Sequence, residues 1–267
     1  KIMQEDIKNA ERIVIKIGTS TLAHPTGRLN LRRFEQIVTV ISDLKNMGKE
    51  IVIVSSGAIG VGAGTMGLKE RPREKIEKQA AAAVGQCELM NMYSKSFAQY
   101  GHKVAQILLT KDVLKGKVAK TNARNTFMRL IDYGIIPVVN ENDTLSTEEA
   151  AFGDNDTLSA VVATLCKAKL LVILTDIDGV YDKNPKQFSD AKLIPFAESA
   201  DEIMDVAGGA GTSYGTGGMV TKLMAAKIAA KSNIHTIIMN GSSPERLYDI
   251  ETGDIRGTVL NGGKTDD

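Results

Sequence analysis

Residues able to do chemistry gather just after short apolar runs in this chain. Lys16 lies inside the run 13–17 and is followed by Gly18-Thr19-Ser20. The run 51–54 leads into Ser55-Ser56-Gly57, 135–139 into Asn140-Glu141-Asn142-Asp143, and 170–174 into Thr175-Asp176. In open α/β sheets ligands bind beyond the carboxyl ends of the strands, so four such ends rich in small, polar and charged groups describe a site. A long cation within an apolar strand is costly unless it meets an anion. For Lys16 that anion is a bound phosphate or a structural carboxylate. Ser56-Gly57 reads as a helix N-cap, and such a cap also offers backbone N–H groups to an anion.

Two further stretches belong with these ends. Gly153-Asp154-Asn155-Asp156 opens a helical pattern: Asp154 or Asn155 can cap it, and Asp156 falls in the first turn, where a carboxylate suits the helix dipole. The glycine-rich stretch 208–218 runs into a second helical pattern that carries Lys222 one turn inside. It is either a surface loop or a backbone that cradles phosphate at a helix start. A Walker A sequence is missing. Gly62, Gly64 and Gly67 fit G-x-G-x-x-G but lie several residues past a strand end, which argues against a dinucleotide site. His24, His102 and His235 are scattered, and with Cys87 and Cys166 they make no zinc spacing.

The elements that must hold these residues alternate. Near-continuous apolar runs at 13–17, 51–54, 104–109, 135–139, 170–174 and 234–239 predict strands buried on both faces of a parallel sheet. Helical patterns at 31–47, 76–100, 121–133, 155–167 and 218–232 lie between them, which makes an α/β protein with helices on both faces. No linker or repeat interrupts the alternation, so one sheet and a single domain over 1–267 are expected. The tail after Gly257 reads as frayed and both cysteines as buried, reduced thiols. Lys and Arg total 33 against 32 Asp and Glu, a balance that argues against a nucleic-acid partner. No apolar run approaches the ~20 residues of a membrane span, and the charged N-terminus lacks a signal-peptide core, so the expected location is cytoplasmic.

In this order the motifs resemble the amino acid kinase family, glutamate 5-kinase branch. The resemblance is carried by Lys16-Ile17-Gly18-Thr19-Ser20, Ser56-Gly57-Ala58, Asn140-Glu141-Asn142-Asp143 and Gly153-Asp154-Asn155-Asp156. It continues through Leu174-Thr175-Asp176, Gly179-Val180-Tyr181, Asn184-Pro185 and Gly215-Thr216-Gly217-Gly218-Met219 with Lys222. It implies a three-layer α/β/α sandwich around one mainly parallel sheet, with an acyl-substrate lobe over about 13–168 and a nucleotide lobe over about 169–257. Lys16 and Lys222 would contact phosphate and Asp156 would hold them. Ser56, Gly57, Asp143 and Asn155 would bind glutamate. Lys16, Gly18, Thr175, Asp176, Thr216, Gly217, Gly218, Met219, Val220, Thr221 and Lys222 would bind ATP. Many relatives carry a further C-terminal domain of the PUA type, and the chain ends before one.

The implied reaction is ATP-dependent phosphorylation of the L-glutamate side-chain carboxylate, the first step of proline biosynthesis. A carboxylate is ionised at neutral pH and needs no general base, so two lysines and Mg²⁺ suffice without a protein metal cage. Within the family, a uridylate kinase needs cations for a substrate phosphate, and carbamate and N-acetylglutamate have no free ammonium for the acidic 140–143 stretch. An N-acetylglutamate kinase is therefore the weaker alternative, and a catalytically silent amino-acid-binding subunit is disfavoured by the lysines and Asp156. The resemblance also implies a homo-oligomer, proline as feedback inhibitor and a glutamyl phosphate reductase as partner.

Overall fold

The computed structural model describes residues 2–146, 151–208 and 218–263. In chain order the elements are α1 (Ile2–Lys8), β1 (Arg12–Ile17), α2 (Thr19–Leu22), α3 (Leu31–Asn46), β2 (Glu50–Ser55), α4 (Ala58–Thr65), α5 (Lys75–Ala98) and β3 (Val104–Leu109). They continue with α6 (Lys117–Asp132), β4 (Ile136–Glu141), α7 (Asn155–Leu165), β5 (Leu170–Thr175), β6 (Phe196–Ala197), α8 (Ala200–Gly208), α9 (Gly218–Ala230), β7 (His235–Asn240), α10 (Asp249–Thr252) and β8 (Thr258–Leu260). The strands form one eight-stranded sheet in the order β3-β4-β2-β1-β5-β7-β8-β6. Its pairings are parallel except β7 with β8.

The apolar runs become strands because each is sandwiched. Period-two alternation sends Ile13, Ile15 and Ile17 of β1 into a core with Phe34, Ile37 and Ile41 of α3 and Tyr93 and Phe97 of α5. Val14 goes the other way, into a core with Leu158 and Val162 of α7 and Leu223 and Ala226 of α9. Lys16 shares the parity of Val14 and therefore emerges on the α7–α9 side. Helices on both faces complete a three-layer α/β/α sandwich.

Close backbone approach positions the start of α4. A Cβ on Gly62 would lie 1.7 Å from the Ala81 carbonyl oxygen, and one on Gly85 would lie 1.7 Å from that of Ala58. The two glycines let α4 and α5 cross in backbone contact, so the first glycine of the G-x-G-x-x-G match is a helix-packing residue. Gly57, at φ 102°, makes the left-handed turn from β2 into α4.

Three sequence expectations need correction. The chain beyond Gly257 is not frayed at once: Thr258, Val259 and Leu260 are buried in β8, and Thr258 Oγ1 accepts from Val180 N at 2.8 Å and donates to the Ile194 carbonyl at 2.6 Å. Burial of Val259 and Leu260 between two other strands outweighs the Gly and Asp around them. Cys87 is exposed, on the outer face of α5, whereas Cys166 is buried as expected. The fourth strand does not stop with the apolar run at 139: Asn140 and Glu141 are the last residues of β4.

Candidate active site

α7 brings the site together. Its N-cap is Asp154, whose Oδ1 accepts from Thr157 N at 2.7 Å and whose Oδ2 accepts from Thr157 Oγ1 at 3.0 Å. That cap aims the first turn, Asn155 and Asp156, at the carboxyl ends of β1, β2 and β4. Consecutive helical residues diverge by about 100°, so the two neighbours enter different surroundings.

Asp156 is buried and lies between two lysines from different elements. Lys16 Nζ is 2.9 Å from its Oδ1 and Lys222 Nζ is 3.1 Å from its Oδ2. Thr221 Oγ1 also reaches Oδ2, at 2.7 Å. Lys16 Nζ has three donors and meets one carboxylate oxygen here, so its ammonium keeps donors for another acceptor. Burial pushes the Asp156 pKa up, but Lys16, Lys222 and hydrogen bonds from Lys16 and Thr221 outweigh it and hold the group ionised below its ordinary value. Burial pushes the Lys16 pKa down; Asp156 opposes that and Lys222 adds to it. Two lysines thus face one carboxylate in a poorly hydrated place, a setting that favours an additional anion. A Cβ on Gly18 would sit 3.4 Å from Lys16 Nζ, so glycine there keeps the ammonium uncrowded.

Asn155 enters a neutral network. Its Nδ2 donates to Ser56 Oγ at 2.7 Å and to Asn140 Oδ1 at 3.2 Å. Ser56 is tied back to β1, its N–H donating to the Ile17 carbonyl at 2.9 Å. Asp143 stands in the turn after β4, half-buried and without a hydrogen bond among the described residues; burial, then the nearby Glu141 carboxylate, push its pKa up to about 6. An unpaired, partly desolvated carboxylate of this kind is a natural partner for an ammonium group.

A second cleft lies across β5. Thr175, Asp176, Asn184, Lys186, Met219 and Lys222 line it, with Gly218 at the start of α9. Its floor is pinned to β7, where Gly241 N donates to the Thr175 carbonyl at 2.7 Å and Asn240 Nδ2 and Arg246 reach Asp178 at 3.1 and 2.7 Å. Val220 is among the exposed apolar residues and is not in this lining, while Thr221 turns to Asp156. Thr216 and Gly217 lie outside the described residues. The structure thus gathers Lys16, Gly18, Ser56, Asn155, Asp156, Thr221 and Lys222 around the first turn of α7, with Asp143 one turn beyond β4 and the Thr175–Asp176 cleft adjoining Lys222.

Residues 11–240 match the model of the amino acid kinase family. The chain belongs to the amino acid kinase family. It is 53% identical over 263 residues to a glutamate 5-kinase of Clostridium perfringens, covering 97% of this chain and 98% of that protein. Identity to a glutamate 5-kinase of Clostridium acetobutylicum is 52%, over 95% and 96% of the two chains. Among solved structures, a UMP kinase from Bacillus anthracis superimposes with TM-score 0.66 at 18% identity, over 96% of this chain and 97% of that one. The T. acidophilum isopentenyl phosphate kinase does so with TM-score 0.65 at 21% identity, over 94% and 100%. These likenesses carry the amino acid kinase fold alone.

Sequence reasoning missed several members of the site. Lys186 follows the Asn184-Pro185 pair but had no apolar run to mark it as a strand end. Gln86 touches Asn140 at 3.0 Å from the middle of α5, where an amide in a helical pattern is indistinguishable from surface. Tyr93, buried under β2 with its hydroxyl 2.9 Å from Ser55 Oγ, reads in sequence as an ordinary aromatic of a helical pattern.

Proposed function

We infer that this chain transfers the γ-phosphoryl group of ATP to the side-chain carboxylate of L-glutamate, giving L-glutamyl 5-phosphate for proline biosynthesis. The observation that carries the reading is the pair of neighbours on α7. Asn155 belongs to an amide and hydroxyl network suited to an amino acid, and Asp156 to a two-lysine cluster suited to a phosphoryl group in flight. The near-full-length relatives named glutamate 5-kinase support the same reading.

Ser56, Gly57, Asn155 and Asp143 hold glutamate on the 13–168 side. Gly18, Thr175, Asp176 and the 216–222 stretch hold ATP on the 169–257 side. The glutamate carboxylate oxygen attacks the γ-phosphorus, the new O–P bond forms as the bond to the bridging oxygen breaks, and ADP leaves with the electron pair. The nucleophile is already ionised, so catalysis rests on alignment and on charge neutralisation by Lys16 and Lys222. Asp156 keeps the two ammoniums together where they would otherwise repel.

Mg²⁺ bound through nucleotide phosphates would neutralise part of their charge. Such an ion is held mainly by phosphate and water and asks for no all-protein cage. No helix of the described residues is long and apolar enough to cross a membrane. A cytoplasmic location belongs to the reading because both substrates are cytoplasmic metabolites.

ADP release measured with glutamate, N-acetylglutamate, aspartate, carbamate and UMP tests it. Turnover is expected with glutamate far above the other four. Preference for N-acetylglutamate or UMP would overturn the assignment within the family, and no glutamate-dependent turnover would leave a binding protein.

A further inference from the structure

Four side-chain amides beside the acyl-substrate cleft form a directional chain, and a backbone group sets its direction. The Glu141 N–H donates to Asn140 Oδ1 at 2.9 Å. A backbone N–H can only donate, so that end of the buried Asn140 amide is its oxygen. Asn140 Nδ2 is thereby turned to Gln86 Oε1 at 3.0 Å, and Gln86 Nε2 continues to Gln106 Oε1 at 3.2 Å on β3. In the other direction Asn140 Oδ1 accepts from Asn155 Nδ2.

This polarity decides what the cleft presents. Both Nδ2 hydrogens of Asn155 are spent on Asn140 and Ser56, with a longer contact to the Ser55 carbonyl at 3.4 Å. Its Oδ1 has no partner among the described residues and is not sealed in the interior. Ser56 Oγ, already accepting from Asn155, keeps its own hydrogen to donate. The cleft thus shows an acceptor suited to an ammonium beside a hydroxyl donor suited to a carboxylate. Turned over, Asn155 would meet an ammonium with its own NH₂.

We propose that Gln86, backed by Gln106, is a positioning residue for the amino-acid substrate: through Asn140 it holds Asn155 with its carbonyl oxygen toward the substrate ammonium. This rests on the reading of the chain as a kinase of a free amino acid. Gln86 itself acts only through Asn140. Without the Gln86 acceptor the Asn140 NH₂ has no partner, and the competing amide orientations of Asn140 and Asn155 come closer in energy. Recognition of an ammonium in ground state and transition state alike is then weakened, which appears in KM and not in kcat.

The test compares purified wild type with Gln86→Met and Gln86→Glu. Gln86→Met should raise the KM for glutamate about five- to tenfold, the effect of one hydrogen bond of ordinary strength. Its kcat should stay within about twofold, and its KM for ATP should not change. Gln86→Glu keeps the acceptor facing Asn140 and should bring the glutamate KM back to within about twofold of wild type. Gln106→Met, at an exposed position where folding is not at stake, should raise it about two- to threefold. An unchanged glutamate KM in Gln86→Met, no recovery in Gln86→Glu, or a fall in kcat in place of a rise in KM would overturn the proposal. A wild-type enzyme that phosphorylates another acceptor and not glutamate would overturn the functional reading instead, so the two failures are told apart by the wild type alone.

Discussion

Asn155 and Asp156 are adjacent in the chain, yet they serve opposite kinds of chemistry. Around Asp156 charge dominates: two lysines, one carboxylate and burial that makes each interaction strong, with the Thr221 hydroxyl as a neutral contact. Around Asn155 the first contacts are neutral: amide, hydroxyl and backbone groups whose hydrogen bonds are directional but individually modest. Ionic stabilisation in a dry site acts on charge that develops during transfer, whereas a neutral network reads the shape and polarity of a ground state. One helix turn thus divides rate from recognition. Damage to the ionic half should appear in kcat, and damage to the amide half in KM.

The largest expected effect breaks the ionic half. Lys222→Ala or Lys16→Ala should lower kcat by roughly 10²–10³ with a much smaller change in either KM, as for loss of one group that stabilises developing charge. Near-normal turnover in Lys222→Ala would remove the start of α9 from the mechanism.

Asp156→Asn should also lower kcat, and it sharpens the comparison through pH. Burial already pushes the Lys16 pKa down, and Asp156 is the main group opposing it. Without that carboxylate the Lys16 pKa falls further, so activity should decline at lower pH on the alkaline side than in wild type. No ascending acid limb should be lost, because Asp156 is not a base; a limb lost in the mutant and present in wild type would make it one. The mutant should also be less stable, by about 3–5 kcal/mol if both ammoniums stay charged, measurable by urea unfolding.

On the recognition side, Asp143→Asn should raise the glutamate KM about ten- to a hundredfold and leave kcat and the ATP KM nearly unchanged. Wild type should show the same loss with acid. Asp143 has a pKa raised to about 6, so its negative charge disappears as pH falls through that value and the glutamate KM should climb below it. Asp143→Asn should flatten this rise. A mutant that lost ATP affinity with its glutamate KM intact would move Asp143 to the nucleotide side.

The smallest effect separates support from recognition. Tyr93→Phe removes the hydroxyl that meets Ser55 Oγ at 2.9 Å beneath β2, without touching the cleft. It should cost about 1 kcal/mol of stability and leave both KM values within twofold. A large KM change would mean that the β2 end is held by Tyr93 more than by the Ser56 and Asn155 contacts.

Much of this protein was legible from residue order. The strands were visible because a strand buried on both faces must be apolar throughout, and β1, β2 and β5 are so apart from Lys16 and their polar ends. Lys16 stood out for the same reason, as a charge in a place that excludes charge. Asp154–Asp156 stood out because a cap and a helix pattern coincide. Tertiary structure alone decided the rest. Thr258–Leu260 is a strand only because β6 and β7 lie beside it, and Cys87 is exposed only because α5 turns that side outward. Gly62 of the G-x-G-x-x-G match is a packing residue only because α5 presses on α4. Gln86 lies 54 positions from Asn140, and no local pattern can mark a hydrogen bond at that separation. Local sequence states which groups are costly to bury; only the folded chain states which distant group makes each burial affordable.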